Sequence, residues 1–446
     1  MEEYIIPGSR HPLLRTPMLP ALGWSPPLPP AAPRPGAGPG AAAADPRVLH
    51  DLMPLLWTLR LLLIFPVTHD GRGRAVRFRW RSWTMLITAV AWLALCANTL
   101  AAIRFRLAPV LDTDKNFHLW DLVPRMATTV GMGIVFTLPL TCWTTAPRAV
   151  AFIEQFQRLE VQVARLSGPV RLEGLRARAW ALSAVSPLVA VLLQAAALVA
   201  IPEVRLWMVP ALMHAYSTYF ILWGFWHVIC SAFASYCQQV TARIPADLQR
   251  LGPPQGLRAH RKIWLGLAQL LSLLDDSLGR IQTMLVGVLF LLDVAISFTV
   301  LHFVLHGIFN KGLYWSAPVL AFMQIGVISI CNSAQVATDG VNAYDLLPTY
   351  LTSLDRPQVR EDTVRLLLAM SLVYKDDATC NEIVRFLDDI RLENPHLSAC
   401  RMSVLNRATI LSFFSLACTY LVVLSQFSVS SESSTTDFDT PQPIAD

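Results

Sequence analysis

Asp293 is the residue in this chain best placed to do chemistry at a price. It lies inside a long apolar stretch, and an ionisable group in a lipid-crossing helix must face a cavity or a partner. Arg125 and His302 are candidate partners for it. Around these three, the outer halves of the predicted helices carry Gln194, His214, Tyr216, Tyr219, Gln324 and Tyr314. Aromatic faces with a few polar groups suit a small organic molecule. A buried structural pair at Asp293 is the competing reading. Trp207 and Trp315 stand at a predicted membrane boundary, where tryptophans anchor a helix.

A second set of residues shares one face of the last apolar segment. At about 100° per residue, Ala408, Ser412, Ser415, Thr419, Val422 and Gln426 form a narrow stripe without a charge. Small residues of this kind let helices pack closely. Repeated around an axis, the same stripe lines a water-filled path. Phe427 follows Gln426, about 100° round the helix, so a rotation would exchange a wet amide for a dry ring. A dry ring closes a pore by dewetting.

Chemistry of the enzymatic kind is not expected. The sequence has no His-Glu-x-x-His, no Gly-rich phosphate loop and no Cys or His spacing of the zinc type. His302 and His306 are four apart but lack a third ligand. The pairs Asp275-Asp276, Asp376-Asp377 and Asp388-Asp389 read as solvated helix faces, because adjacent residues on a helix do not face one another. No metal and no cofactor are expected.

The elements that position these residues follow from composition. Hydrophobic residues make up 54% of the 446 and charged residues only 15%, against about 25% charged in a soluble domain. The net charge of +5 is spread between apolar segments without stacking aromatics, so nucleic acid is not a partner. The eight cysteines fall in or beside helices and do not form a secreted disulfide framework. Seven stretches are long enough to cross a bilayer, near 83–103, 122–144, 179–201, 206–238, 281–304, 313–335 and 404–427. Leu52–Val67 is short, carries Arg60 and ends near Pro66, which favours an interfacial or packed helix.

The fold class is therefore an all-α membrane protein of seven transmembrane helices with cytosolic helical extensions. Lys and Arg set its orientation. Ten lie before residue 83, six each in 145–178 and 239–280, and seven in 336–403. The alternate connections hold few, and 428–446 holds none. The positive-inside rule puts the N-terminus in the cytosol and the C-terminus outside. Residues 1–50 form a Pro/Ala-rich cytosolic tail without a signal peptide. Residues 51–335 are a six-helix sensing region, 336–403 cytosolic anchor helices, 404–427 a pore helix and 428–446 an acidic extracellular tail. Mixed apolar and charged residues over 148–166, 263–278 and 364–392 extend the membrane helices inward.

The last segment ends in Thr419-Tyr420, five residues, then Gln426-Phe427. This run resembles the C-terminal signature of insect gustatory receptors, with Ser425 departing from the mainly apolar spacer. Ser398-Ala399-Cys400 and Asn406 resemble the approach to that helix, and Pro54-Leu55-Leu56 to Phe65-Pro66-Val67 the lead-in at the other end. The resemblance implies a plasma-membrane, ligand-gated cation channel assembled as a homotetramer, or as a heteromer with other gustatory receptors. It implies subunit contacts through 336–403 and a gate at Gln426 and Phe427. The expected function is a taste receptor opened by a small tastant bound among the outer halves of helices 2–6. Leu421 stands where sugar receptors of the family carry an acidic residue. A secondary transporter and a non-conducting accessory subunit are the alternatives, although no repeated halves with interrupted helices are visible. A G-protein-coupled receptor is disfavoured by the reversed topology and by the missing Asp-Arg-Tyr and Asn-Pro-x-x-Tyr runs.

Overall fold

A computed structural model describes residues 47–69, 76–111, 119–200, 204–305, 311–342, 376–392, 395–399 and 403–436. The Pro/Ala-rich tail up to residue 46, His306, most of the anchor segment over 343–375, and the end of the acidic tail lie outside the described residues. The described chain is helical apart from two short antiparallel hairpins, β1 (Thr68–His69) with β2 (Val76–Arg77), and β3 (Ser398–Ala399) with β4 (Ser403–Val404).

The helices are α1 (Val48–Leu61), α2 (Trp83–Leu111), α3 (Leu119–Ser167), α4 (Leu175–Ala200), α5 (Val209–Ala242), α6 (Ile244–Leu251) and α7 (Pro253–Leu274). They continue as α8 (Arg280–Leu305), α9 (Lys311–Asn342), α10 (Asp377–Leu392) and α11 (Arg407–Thr436). Among the described residues seven helical segments are long and apolar enough to cross a membrane, and the chain is a multi-pass membrane protein of the all-α class.

Several helices outrun the bilayer. α3 has 49 residues, about 70 Å at 1.5 Å per residue, against a hydrocarbon core near 30 Å. Its second half leaves the membrane as the expected extension. α7 and α8 form one continuous rod through a π-helical turn at Asp275–Gly279. This end of the molecule, where α1, α6, α7 and α10 gather, is called the extension end below.

The sequence left Leu52–Val67 between an interfacial and a packed helix. Its helix, α1, begins at Val48 and is packed: Leu49, Leu55 and Leu59 are buried. The Arg47 N–H donates to Glu160 of α3 at 3.0 Å, and Trp143 Nε1 donates to the Leu63 carbonyl at 3.0 Å. Leu63 sits at φ +61°, a left-handed conformation that the Trp143 bond helps to hold.

α5 is the axis of the subunit, packed between α4 and α9 and against α3. Lipid supplies no hydrophobic drive between helices, so close packing and cross-helix hydrogen bonds hold them. Trp226 Nε1 donates to the Ile330 carbonyl at 3.1 Å, and Gln282 Nε2 donates to the Leu222 carbonyl at 3.2 Å. Gly340 of α9 lies so near α5 that a Cβ there would come within 2.8 Å of the Ala234 Cα.

α11 differs from the rest. It is the least covered by its own chain of the seven spanning segments. It also runs on to Thr436, nine residues past the end expected at Phe427, so the start of the expected acidic tail is helical.

Candidate functional site

Four residues of α5, Tyr216, Tyr219, Phe220 and Trp223, stand at helical spacing and turn one aromatic face toward α8 and α9. They close a cavity with Leu193 of α4, Leu285 and Leu289 of α8, and Val319, Phe322, Met323 and Gly326 of α9. Phe220 and Phe322 meet edge to face with centroids 4.8 Å apart, and Trp223 meets the same ring at 5.8 Å. The cavity holds about 50 Å³, whereas small-molecule sites span roughly 300–1,000 Å³. An organic ligand enters only if these rings move.

Several polar atoms around the cavity lack partners among the described residues. The Tyr219 hydroxyl and both side-chain atoms of Gln194 are buried without a hydrogen bond among the described residues. Asp293, one turn along α8 from Leu289, bonds Gln324 of α9, while its Oδ1 is buried without a partner among them. A buried polar atom left unpaired costs about 1–3 kcal/mol. A polar ligand or a water would recover that cost.

The structure brings some of the sequence candidates together and disperses others. Tyr216 and Tyr219 line the cavity, Gln194 neighbours Leu193, and Asp293 pairs with Gln324. Among the described residues Asp293 thus bonds Gln324, not Arg125 or His302. Arg125 Nη1 donates to the Arg106 carbonyl at 3.4 Å, and His302 stacks loosely on Phe303. His214 turns to the crest of the turn after α1, where its Nε2 donates to the Leu62 carbonyl at 2.9 Å. Trp207 meets Phe105 at 5.9 Å and its carbonyl accepts from Asn98. The side chains of Tyr314 and Trp315 lie outside the described residues. Phe220, Trp223 and Phe322 were not singled out from sequence, although the i, i+3, i+4, i+7 spacing of Tyr216, Tyr219, Phe220 and Trp223 was there to find.

The polar stripe of α11 has a definite direction. Phe413 and Ala417 are the buried residues of its middle, and Phe290 of α8 packs on Phe413 at 5.2 Å and on Tyr420 at 6.0 Å. Ser412, Ser415, Thr419, Val422 and Gln426 are all exposed. At 100° per residue, their stripe is centred opposite the buried face. Two of its hydroxyls are satisfied within the helix, Ser412 donating to the Ala408 carbonyl and Thr419 to the Ser415 carbonyl. The Phe427 side chain lies outside the described residues.

A clamp joins this helix to α7 and α8. Asp275, in the π-helical turn, accepts from the Ser398 N–H at 2.8 Å and from the Ser398 hydroxyl at 2.6 Å. Ser398 opens the hairpin that leads into α11, and Asn406 Oδ1 caps α11 through the Thr409 N–H at 3.1 Å. The Asp275 carboxylate is therefore bound and only half-exposed, where the sequence suggested a solvated face. Asp376 likewise caps α10 through Thr379, and Asp389 pairs with Arg261 at 3.0 Å. The carboxylate that fixes α10 on α7 is Glu382, buried and held by Arg258 and Arg261. Among the described residues no three of His, Cys, Asp or Glu converge as a metal site.

A family model described as 7tm Chemosensory receptor matches residues 52–431. Gustatory and odorant receptor 21a of Drosophila melanogaster is 23% identical over 331 residues, 72% of this chain and 67% of that one. Gustatory and odorant receptor 22 of Anopheles gambiae is 23% identical over 390 residues, 85% of this chain and 78% of that one. Among solved structures, the insect olfactory receptor OR5 of Machilis hrabei in complex with eugenol superimposes with a TM-score of 0.58. It covers 85% of this chain and 100% of that chain at 12% identity, a likeness of fold.

Proposed function

Because the chain belongs to the seven-transmembrane chemosensory receptor family, we propose that it is a gustatory receptor of the plasma membrane, a ligand-gated cation channel. In this reading a small tastant enters the aromatic cavity between α5, α8 and α9, and four subunits surround one ion path. The extension end is cytosolic and the C-terminus extracellular, as the distribution of Lys and Arg indicates.

The observation that carries the proposal is the direction of the α11 stripe. Five polar or small residues face away from their own subunit, on the helix that its own chain covers least. A face of that kind is accounted for by like neighbours around an axis. The stripe bears no carboxylate between 408 and 427, which fits weak selection among small cations. Ligand motion would reach it by two routes. One is Phe290, shared by α8 and the Phe413 ring; the other is the Asp275–Ser398 clamp.

Expression in a cell without other chemoreceptors, with whole-cell recording against a panel of sugars and bitter compounds, tests this. A ligand-evoked cation current is expected. Solute accumulation without current would overturn it in favour of a transporter, and current appearing only with a second receptor would make the chain an accessory subunit.

A further inference from the structure

A second, open cleft lies away from the aromatic cavity. It holds about 380 Å³ and lies at the extension end, between the loop and first turn of α4 and the last turns of α5. Arg171, Arg178 and Arg243 line it, with Ser235 and Gln239, and Glu173 is its one acidic residue. Arg243 is spent on structure, donating to the Ser167, Gly168 and Pro169 carbonyls, and Gln239 donates to the Arg171 carbonyl. These bonds fix the rim. Arg171 and Arg178 are exposed, and neither makes an ion pair among the described residues. Two guanidinium groups without an ion pair, set against one carboxylate, make a site for an anion, and guanidinium matches phosphate oxygens two at a time.

The helix above the cleft indicates where the anion comes from. Arg178, Val185, Leu192 and Val199 recur every seven residues, so they share one face of α4. The three apolar members are 50%, 60% and 73% exposed, an open greasy strip above a cationic foot. Arg178 to Val199 spans about 31 Å at 1.5 Å per residue, one hydrocarbon core. Trp180, 58% exposed, stands where a boundary tryptophan is expected.

We propose that the cleft between α4 and α5 binds the phosphorylated headgroup of an anionic membrane lipid, whose acyl chain lies along Val185 and Leu192. Basic pockets between membrane helices on the cytosolic side recognise such headgroups. The choice of leaflet rests on the topology proposed above; the site itself does not.

The test uses the full chain in phosphatidylcholine nanodiscs, where both faces are accessible and topology in the cell plays no part. The protein is titrated with dioctanoyl phosphatidylinositol bisphosphate and, separately, with free inositol trisphosphate. Saturable binding of the lipid, tighter than that of the free headgroup, is expected. The double variant Arg171→Ala/Arg178→Ala should weaken it at least about tenfold, with its lipid-free melting unchanged. Arg176→Ala, an exposed cation of α4 outside the lining, should bind as the parent does. Equal binding by the double variant, or equal loss in Arg176→Ala, would overturn the site. Equal affinity for free inositol trisphosphate would overturn the lipid as its ligand.

Discussion

The carboxylate of Asp275 takes both the N–H and the hydroxyl of Ser398, at 2.8 and 2.6 Å. One residue belongs to the π-helical turn between α7 and α8, the other to the hairpin that leads into α11. Gly279 keeps the place open, since a Cβ there would come within 2.6 Å of Asp275 Oδ1. Hydrogen bonds to a charged group are worth about 1.5–3 kcal/mol. Asp275→Ala should therefore shift the ligand dose–response about tenfold to higher concentration at equal surface expression, with Asp275→Asn between. An unchanged curve would remove the clamp from the gating route.

The α11 stripe predicts which positions meet water. With Cys418 first replaced by Ser, cysteines introduced at Ser415, Thr419 or Val422 should react with a water-soluble thiol reagent during ligand application. Cysteines at the buried Phe413 or Ala417 should not. In the same assay Phe427→Ala should raise the basal current. Equal labelling of both faces would sink the pore assignment.

Removing a hydroxyl that has no partner among the described residues should cost nothing in the unliganded protein. Tyr219→Phe is expected to leave thermal stability equal or raise it by up to about 1 kcal/mol. It should weaken ligands that carry a hydrogen-bonding group while sparing apolar analogues. Loss of response to every ligand together with lower stability would show that the hydroxyl has a structural partner.

Gly340→Ala places a methyl against the backbone of α5 at Ala234, and backbone yields less readily than a side chain. Overpacking of this kind costs about 1–3 kcal/mol. A lower melting temperature and less monodisperse protein in detergent are expected. Unchanged melting would mean that α5 and α9 separate easily.

Glu382→Ala should loosen α10 from α7, because it removes the buried carboxylate shared by Arg258 and Arg261. Hydrogen exchange should rise across 377–392 and leave α5 unchanged. Unaltered protection of α10 would assign its docking to the Asp389–Arg261 pair and the Trp264–Phe386 contact.

Much of this architecture was legible in the sequence because lipid imposes length and apolarity on every span. The helices containing Asp293 and the α11 stripe were visible for that reason. Their partners were not. Gln324 reads as a ligand candidate rather than as the partner of Asp293 until α8 and α9 are laid together, and Asp275 looks like half of an exposed acidic pair until the hairpin returns to it. His214 was placed with the ligand residues by depth alone, and the turn after α1 claims it instead. Pairings between distant helices depend on tertiary register, which periodicity along one helix does not carry.

The hydroxyls of α11 close on their own helix, Ser412 to Ala408, Thr419 to Ser415 and Ser425 to Val422. Those three hydroxyls can thus pass sideways into hydrocarbon with their donors already bound. In the proposed channel, insertion therefore need not wait for sister copies, and each can ripen alone before a shared seam forms.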